Sequence, residues 1–522
     1  MAIKSTNIES DFSLNHYKTI KDNSEVEIVV NETSTTISGY FSSQSLNSFA
    51  EDNSVSEAYT NFGQGVTVVD SRKILIGTPS KTFSGYLQSP GDVGAVYEFT
   101  RTDGVYDVDG SEWVQTAQIT ASDFSSMNPS TSEMHFGHCL QATGSHLVVG
   151  APYRCGPSGS YTSRVGAVYV FKSSSSGYTQ EAFFRPLTGS GERFGEVVRF
   201  NATPNKFAVG VPSRDETYIF NSGSGGWSQE AILTSSLTSY ATPSFGGSIA
   251  YSGSYLAVGA PNDRPEGNMG AGSTCLFKSS SSGWSEIGIF SSSAPSGFGF
   301  YGRSLAFMSN KRLVVGEEFG EISGNATGSV QIFSFTDVGV KTLHQTILNP
   351  LTGNSGRFGR FVDAYNDGTF ISVSRPISGD NTTDSSSNEG NRAVLVYQSG
   401  ASGYSLLTTL TRDTSLATYY GSSPGKWIYT IDSNNTASKW YSMLSMKDGL
   451  IIHGIAGAAD SKFHDDDGSP FNYGFGEFRS WRNVLSTTTT TIRTAPPIRF
   501  SAKAAFNIRG QTVKNPYSVT LK

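Results

Sequence analysis

The chain has 522 residues, of which 37 % are hydrophobic and only 16 % charged, and 57 are glycine. Such Gly-rich, weakly charged chains are either disordered or built from many short strands and tight turns; an aromatic content of 12 % excludes disorder. A net charge of −6 excludes a protein that binds nucleic acid through its whole surface.

Residues 1–58 read as an acidic N-terminal arm, with Glu9, Asp11, Asp22, Glu25, Glu27, Glu32, Glu51, Asp52 and Glu57 against three lysines. "MAIKSTNIESDFSLNHYKTI" carries no apolar core of a signal peptide, and no run of apolar residues is long enough to cross a membrane. The expectation is synthesis in the cytoplasm without membrane insertion, so sequons such as those at Asn31, Asn201 and Asn325 carry little meaning. "EVEIVVNETSTTISGYF" from Glu25 predicts a strand or hairpin.

From residue 59 a phrase recurs. It reads "NFGQGVTVVDSRKILIGTP" from Asn61, "HFGHCLQATGSHLVVGAP" from His135, "RFGEVVRFNATPNKFAVGVP" from Arg193 and "SFGGSIAYSGSYLAVGAP" from Ser244. Weaker copies begin at Phe300, Arg357 and Lys439, the last without its Phe-Gly pair. A second apolar burst follows most copies, as in "GAVYEF" at Gly94, "GAVYVF" at Gly166, "GSTCLF" at Gly272 and "GSVQIF" at Gly328, commonly with a Ser-Gly turn and an aromatic after it. Repetition at this spacing is the signature of a repeat architecture.

Segments such as "LVVG", "LAVG" and "KILIG" are apolar at consecutive positions, which predicts strands covered on both faces. "VYVF", a Ser-Gly turn and "YTQEAFF" predict a hairpin with an outer, half-solvated strand. Each unit then supplies four strands, and such sheets stack face to face around an axis. In that arrangement Gly137 and Gly150 admit close approach of neighbouring sheets, Pro152 ends the strand and Phe136 fills the gap between sheets. The same roles fall to Phe62, Gly63, Phe194, Gly195, Phe245, Gly246, Gly259, Pro261, Phe358 and Gly359.

The Phe-Gly … Gly-Ala-Pro phrase resembles the FG-GAP repeat, known from the integrin α-subunit propeller and from microbial surface and phage proteins. The resemblance spans residues 59–486 and implies an all-β, seven-bladed β-propeller of four-stranded blades with N- and C-terminal arms. In that family some blades carry a calcium loop resembling D-x-D-x-D-G. The nearest segments are "DVDG" with Asp107 and Asp109, "NDG" at Asn366 and "DDDG" with Asp465 and Asp467. Each lacks ligands, and Asp-Gly equally makes a hairpin turn, so no cofactor is expected and calcium remains only a candidate.

Other chemistry is sparse. His135 and His138, three apart on an expected strand, point to opposite faces and do not share a metal. No nucleophile elbow, phosphate-binding loop or HExxH motif is present, and the chain does not read as an enzyme. Cys139, Cys155 and Cys275 form no disulfide framework and are expected as small buried hydrophobes.

Residues 487–522 read as a basic C-terminal arm: after Glu477 no acidic residue occurs, while Arg493, Arg499, Lys503, Arg509 and Lys514 do. The acidic and basic ends read either as two solvated ends or as complementary ends that meet, within or between subunits; part of either arm completes the ring, or the basic tail adds a strand to a neighbouring subunit or virion partner. The functional expectation is a structural protein of a tailed-phage virion, localised to the virion. It would bind other virion proteins through its arms and contact a host-surface glycan or protein through exposed aromatics such as Tyr161, Tyr178, Trp227 and Trp284. The alternatives are an exported FG-GAP adhesin of a cell surface, or a propeller lyase or glycosidase with charged residues converging at one mouth of the channel.

Overall fold

The consecutive apolar segments Lys73–Thr78, His146–Ala151, Lys206–Val211, Tyr255–Ala260 and Arg312–Glu317 each form the second strand of a four-stranded antiparallel sheet in the computed structural model. All five are buried on both faces. The structure describes residues 63–81, 93–101, 113–123, 134–155, 164–185, 191–201, 203–237, 244–295, 297–309, 311–322, 325–350, 357–365, 368–375, 393–410, 444–447, 450–455 and 477–483, with 26–27, 40–47 and 499–500.

Six sheets take their strands in chain order, from the innermost outward. Blade one runs from Val66–Asp70 to Trp113–Ile119, blade two from Cys139–Ala142 to Gly177–Phe184, and blade three from Val197–Phe200 to Gly226–Leu233. Blade four runs from Ser248–Ser252 to Gly283–Ser291, blade five from Tyr301–Ser309 to Lys341–Leu348, and blade six from Val362–Tyr365 to Gly403–Leu410. A further sheet mixes the two ends of the chain. Its strands Leu444–Lys447, Leu450–Ile455 and Glu477–Asn483 are followed outward by Tyr40–Asn47. The fold is an all-β propeller of four-stranded antiparallel blades, and this compact unit runs Tyr40–Asn483.

The chain ends form a second unit, in which Val26–Glu27 pairs antiparallel with Arg499–Phe500. In that register Glu27 is the partner of Arg499.

Blades are joined through glycine. Gly150, in the second strand of blade two, lies so close to blade three that an added β-carbon would stand 2.0 Å from the Gly195 carbonyl oxygen. The same contact joins Gly77 to Gly137, Gly210 to Gly246, Gly259 to Gly302 and Gly316 to Gly359. In blades one to five the glycine of the second strand thus meets the glycine of the next Phe-Gly pair, which is Tyr301-Gly302 in blade five. Phe136, fully buried, fills the space beside this contact. It packs edge-on to Tyr169 and Phe171 of its own blade, in one cluster with Leu75, Val96 and Ile119 of blade one. Burial of such a ring stabilises by roughly 2–3 kcal/mol.

The register between third and fourth strands shifts at one recurrent place in blades one to six. The extra residue falls at Glu181 in blade two, Glu230 in blade three, Ile287 in blade four and Leu407 in blade six. A bulge turns its side chain out of the ordinary alternation, and in blades two, three, four and six it meets the next blade. Ile287 joins the apolar cluster of blade five, and Leu407 packs with Leu444 and Met446.

Candidate functional site

The Phe-Gly pair precedes the innermost strand and does not belong to it, except in blade five, where Tyr301-Gly302 opens the strand. Positive φ angles at His135 (54°) and Gly137 (92°) turn the chain on either side of Phe136. The expected strand alternation is therefore broken. His135 stacks on Tyr153 at 4.1 Å, and His138 lies 6.4 Å from the same ring. What holds the pair is the preceding blade: the Phe136 N–H donates to Val93 O (3.0 Å), Phe194 to Val165 (3.0 Å), Tyr301 to Ala271 (2.8 Å) and Phe358 to Thr327 (3.2 Å). At Phe245 the acceptor is the Asp215 carboxylate, 2.9 Å away, because Asp215 takes the place that glycine holds in "GAVYVF".

Polar side chains beside several of these pairs interact with one another. The Gln64 amide nitrogen lies 2.8 Å from His138 Nδ1, in a buried contact. Burial, with His135 and Arg193 nearby, pushes His138 down to about 3. Burial also raises Glu196, against the attraction of Arg193 and Arg303. Glu318 receives Arg360 (2.7 Å), Arg357 (3.0 Å) and Arg303 (3.3 Å). Burial alone would raise this carboxyl; Arg360, Arg303 and Arg357 outweigh it and hold the group low. Charged residues thus do converge here, and the sequence by itself could not have placed them together.

Along the axis the innermost strands enclose a cavity of about 250 Å³, lined from blades one to six and by Leu444 and Ser445 of the mixed sheet. Neighbouring innermost strands are laced by hydrogen bonds between a side chain of one and the backbone of the other. The Ala142 N–H donates to Thr67 Oγ1 (3.2 Å), the Phe200 N–H to Gln141 Oε1 (2.5 Å), and Arg199 Nε to Ile249 O (3.2 Å). Ser248 donates to Gly302 O (2.6 Å) and Ser304 to Gly359 O (2.8 Å). The Met446 N–H donates to Asp363 Oδ2 (2.7 Å), and the Val68 N–H to Ser445 Oγ (3.1 Å). Strands that splay from an axis cannot share a regular ladder, and these side chains satisfy the backbone groups left over.

Asp363 and Arg199 both face this cavity. Asp363 is half-buried at the cavity wall; burial pushes it up to about 6, opposed by Arg199 and the Met446 and Ala364 N–H groups.

The outer aromatics clip blades together. The Tyr178 hydroxyl donates to Glu98 (2.7 Å), Trp227 Nε1 to Glu181 (3.3 Å) and Trp284 Nε1 to Glu230 (3.0 Å), each across one blade junction. Glu181 and Glu230 are the bulge residues, which is why they reach the neighbouring blade. All three rings are partly buried against apolar clusters.

Pro152 and Pro261 directly follow the second strands that end at Ala151 and Ala260, and Gly63 donates to Gly77 O. Cys139, Cys155 and Cys275 are free and buried. Phe62, Asp107, Asp109, Tyr161, Asp465, Asp467, Arg493, Lys503, Arg509 and Lys514 lie outside the described residues.

Residues 113–171 and 227–277 match the family model of the FG-GAP repeat. Each match starts on the outer strand of one blade and ends on the third strand of the next, and so spans the glycine contact between them. No curated protein matches the sequence. Among solved structures, a proposed 6-phosphogluconolactonase from Bacteroides uniformis is 8 % identical, with a TM-score of 0.42 over 67 % of this chain and 86 % of that one. The chain thus carries FG-GAP repeats at residues 113–171 and 227–277 on a β-propeller of four-stranded antiparallel blades.

Proposed function

We propose that the chain is a non-enzymatic structural module, mounted on a larger assembly through its paired ends. The assembly expected from the sequence is the virion of a tailed phage. The reading is carried by one observation. Segments toward both ends of this sequence pair twice: Tyr40–Asn47 with Glu477–Asn483, and Val26–Glu27 with Arg499–Phe500. This pairing supports one shared point of attachment, with the blades left for a partner such as a host glycan or protein. Support for a ring of seven blades comes from the mixed sheet, whose innermost strand bonds to blade six at Asp363 and to blade one at Val68.

The test is a truncation. Removing Ser486–Lys522 should leave the thermal transition of the propeller unchanged and abolish co-sedimentation of the chain with virus particles. Full-length protein recovered from the cell envelope, and absent from particles, would favour an exported adhesin and sink the virion reading.

A further inference from the structure

The hydrogen bonds that lace the innermost strands leave a chemical bias on the axis. Thr67, Gln141 and Ser445 each accept a backbone N–H through their oxygen. Each therefore spends an acceptor and retains a donor: the Thr67 and Ser445 hydroxyl hydrogens and the Gln141 amide. Arg199 spends only Nε on Ile249 O, so its two terminal nitrogens remain. All four side chains line the same cavity. Facing them is one anionic acceptor, Asp363, which interacts with Arg199 although no ion pair within 4.0 Å joins the two.

We propose that this axial cavity is a binding site for a small carboxylic acid that carries a hydroxyl or ammonium group beside its carboxylate. The carboxylate takes the Arg199 fork, with Thr67, Gln141 or Ser445 donating to its remaining lone pairs. The hydroxyl or ammonium group donates to Asp363. At about 250 Å³ the cavity has room for a small acid of this kind. The site is independent of how the propeller is mounted.

Full-length protein would be titrated with glycolate and with glycine, with acetate and methylamine as the corresponding half-ligands. Binding is read by saturation-transfer NMR and by the thermal midpoint. A saturable signal from glycolate or glycine, at least about tenfold stronger than from acetate, is expected. Which of the two binds decides between hydroxyl and ammonium. Arg199→Gln should abolish the signal. Should that variant fail to fold, Arg199→Lys keeps the charge without the fork and should weaken binding about tenfold. No saturable signal from either probe up to roughly 20 mM overturns the proposal, as does an unchanged response in a folded Arg199 variant.

Discussion

Gln64 and His138, from the first two blades, are held together by a buried contact of 2.8 Å between the amide nitrogen and Nδ1. The amide donates there, which fixes the neutral imidazole with its hydrogen on Nε2. Protonation of Nδ1 would set two donors against each other beside Arg193.

That pair makes the fold acid-sensitive. His138 titrates at about 3 in the fold and at about 6.5 when unfolded. Between those values the unfolded chain binds the extra proton, so stability falls as pH drops below 6.5 and stops falling near 3. The full loss is about 5 kcal/mol from this group. His138→Gln loses this contribution, so it should gain stability relative to the wild type as pH falls from 6.5 toward 4. Urea unfolding of both proteins between pH 7.5 and 4 measures it, and equal slopes would clear His138 of the role.

Asp363 works in the opposite direction. Its folded value of about 6 lies above the unfolded 3.8. The fold binds the extra proton in that window, so stability declines as pH rises through it, by at most about 3 kcal/mol because channel water screens the charge. Asp363→Asn keeps an oxygen for the Met446 N–H and removes this cost. The variant should gain on the wild type at pH 8 and lose that gain at pH 4. The two windows overlap with opposite sign, so the wild type is flatter than either variant, and each slope is visible only when the other group is silenced.

The strands and blade contacts were legible in the sequence because they depend on short patterns repeated many times. "HLVVGA" and "YLAVGA" show double-sided burial directly, and the recurrence of Phe-Gly points to a junction between units. Thr67, Gln141, Arg199, Ser248, Ser304, Asp363 and Ser445 carried no such signal. Three of these seven junctions use serine and the other four use Thr, Gln, Arg and Asp, since any side chain able to reach a backbone group suffices. The bulge glutamates were hidden for another reason. Glu181 in "YTQEAFF" reads as a solvent-facing position until the extra residue in the strand is counted. Tyr40–Asn47 lacks an apolar run, and its partner Glu477–Asn483 lies at the far end of the chain.

The glycine contacts can be tested by a single methyl group. In Gly150→Ala the new carbon meets the Gly195 carbonyl at 2.0 Å, backbone against backbone, so the two blades must separate. A loss of about 3 kcal/mol or more is expected. Gly144 is the control, because an added β-carbon there has no neighbour within 4 Å; Gly144→Ala should change stability by less than about 0.5 kcal/mol. Chemical denaturation of both variants gives the comparison, and similar values for the two would show that the blades yield at this junction.

The outer strand of the mixed sheet admits a sharper test, because its boundary is narrow. Removing residues 1–39 leaves Tyr40–Asn47 paired with Glu477–Asn483, and the thermal transition should stay where it is. Removing residues 1–47 takes that strand away and exposes the whole edge of Glu477–Asn483, a row of backbone donors and acceptors ready to pair with another chain. The shorter protein should melt earlier and self-associate with rising concentration, as read by calorimetry and sedimentation velocity. If both deletions behave alike, Tyr40–Asn47 contributes nothing to closing the propeller, and the single point of attachment proposed for its termini fails with it.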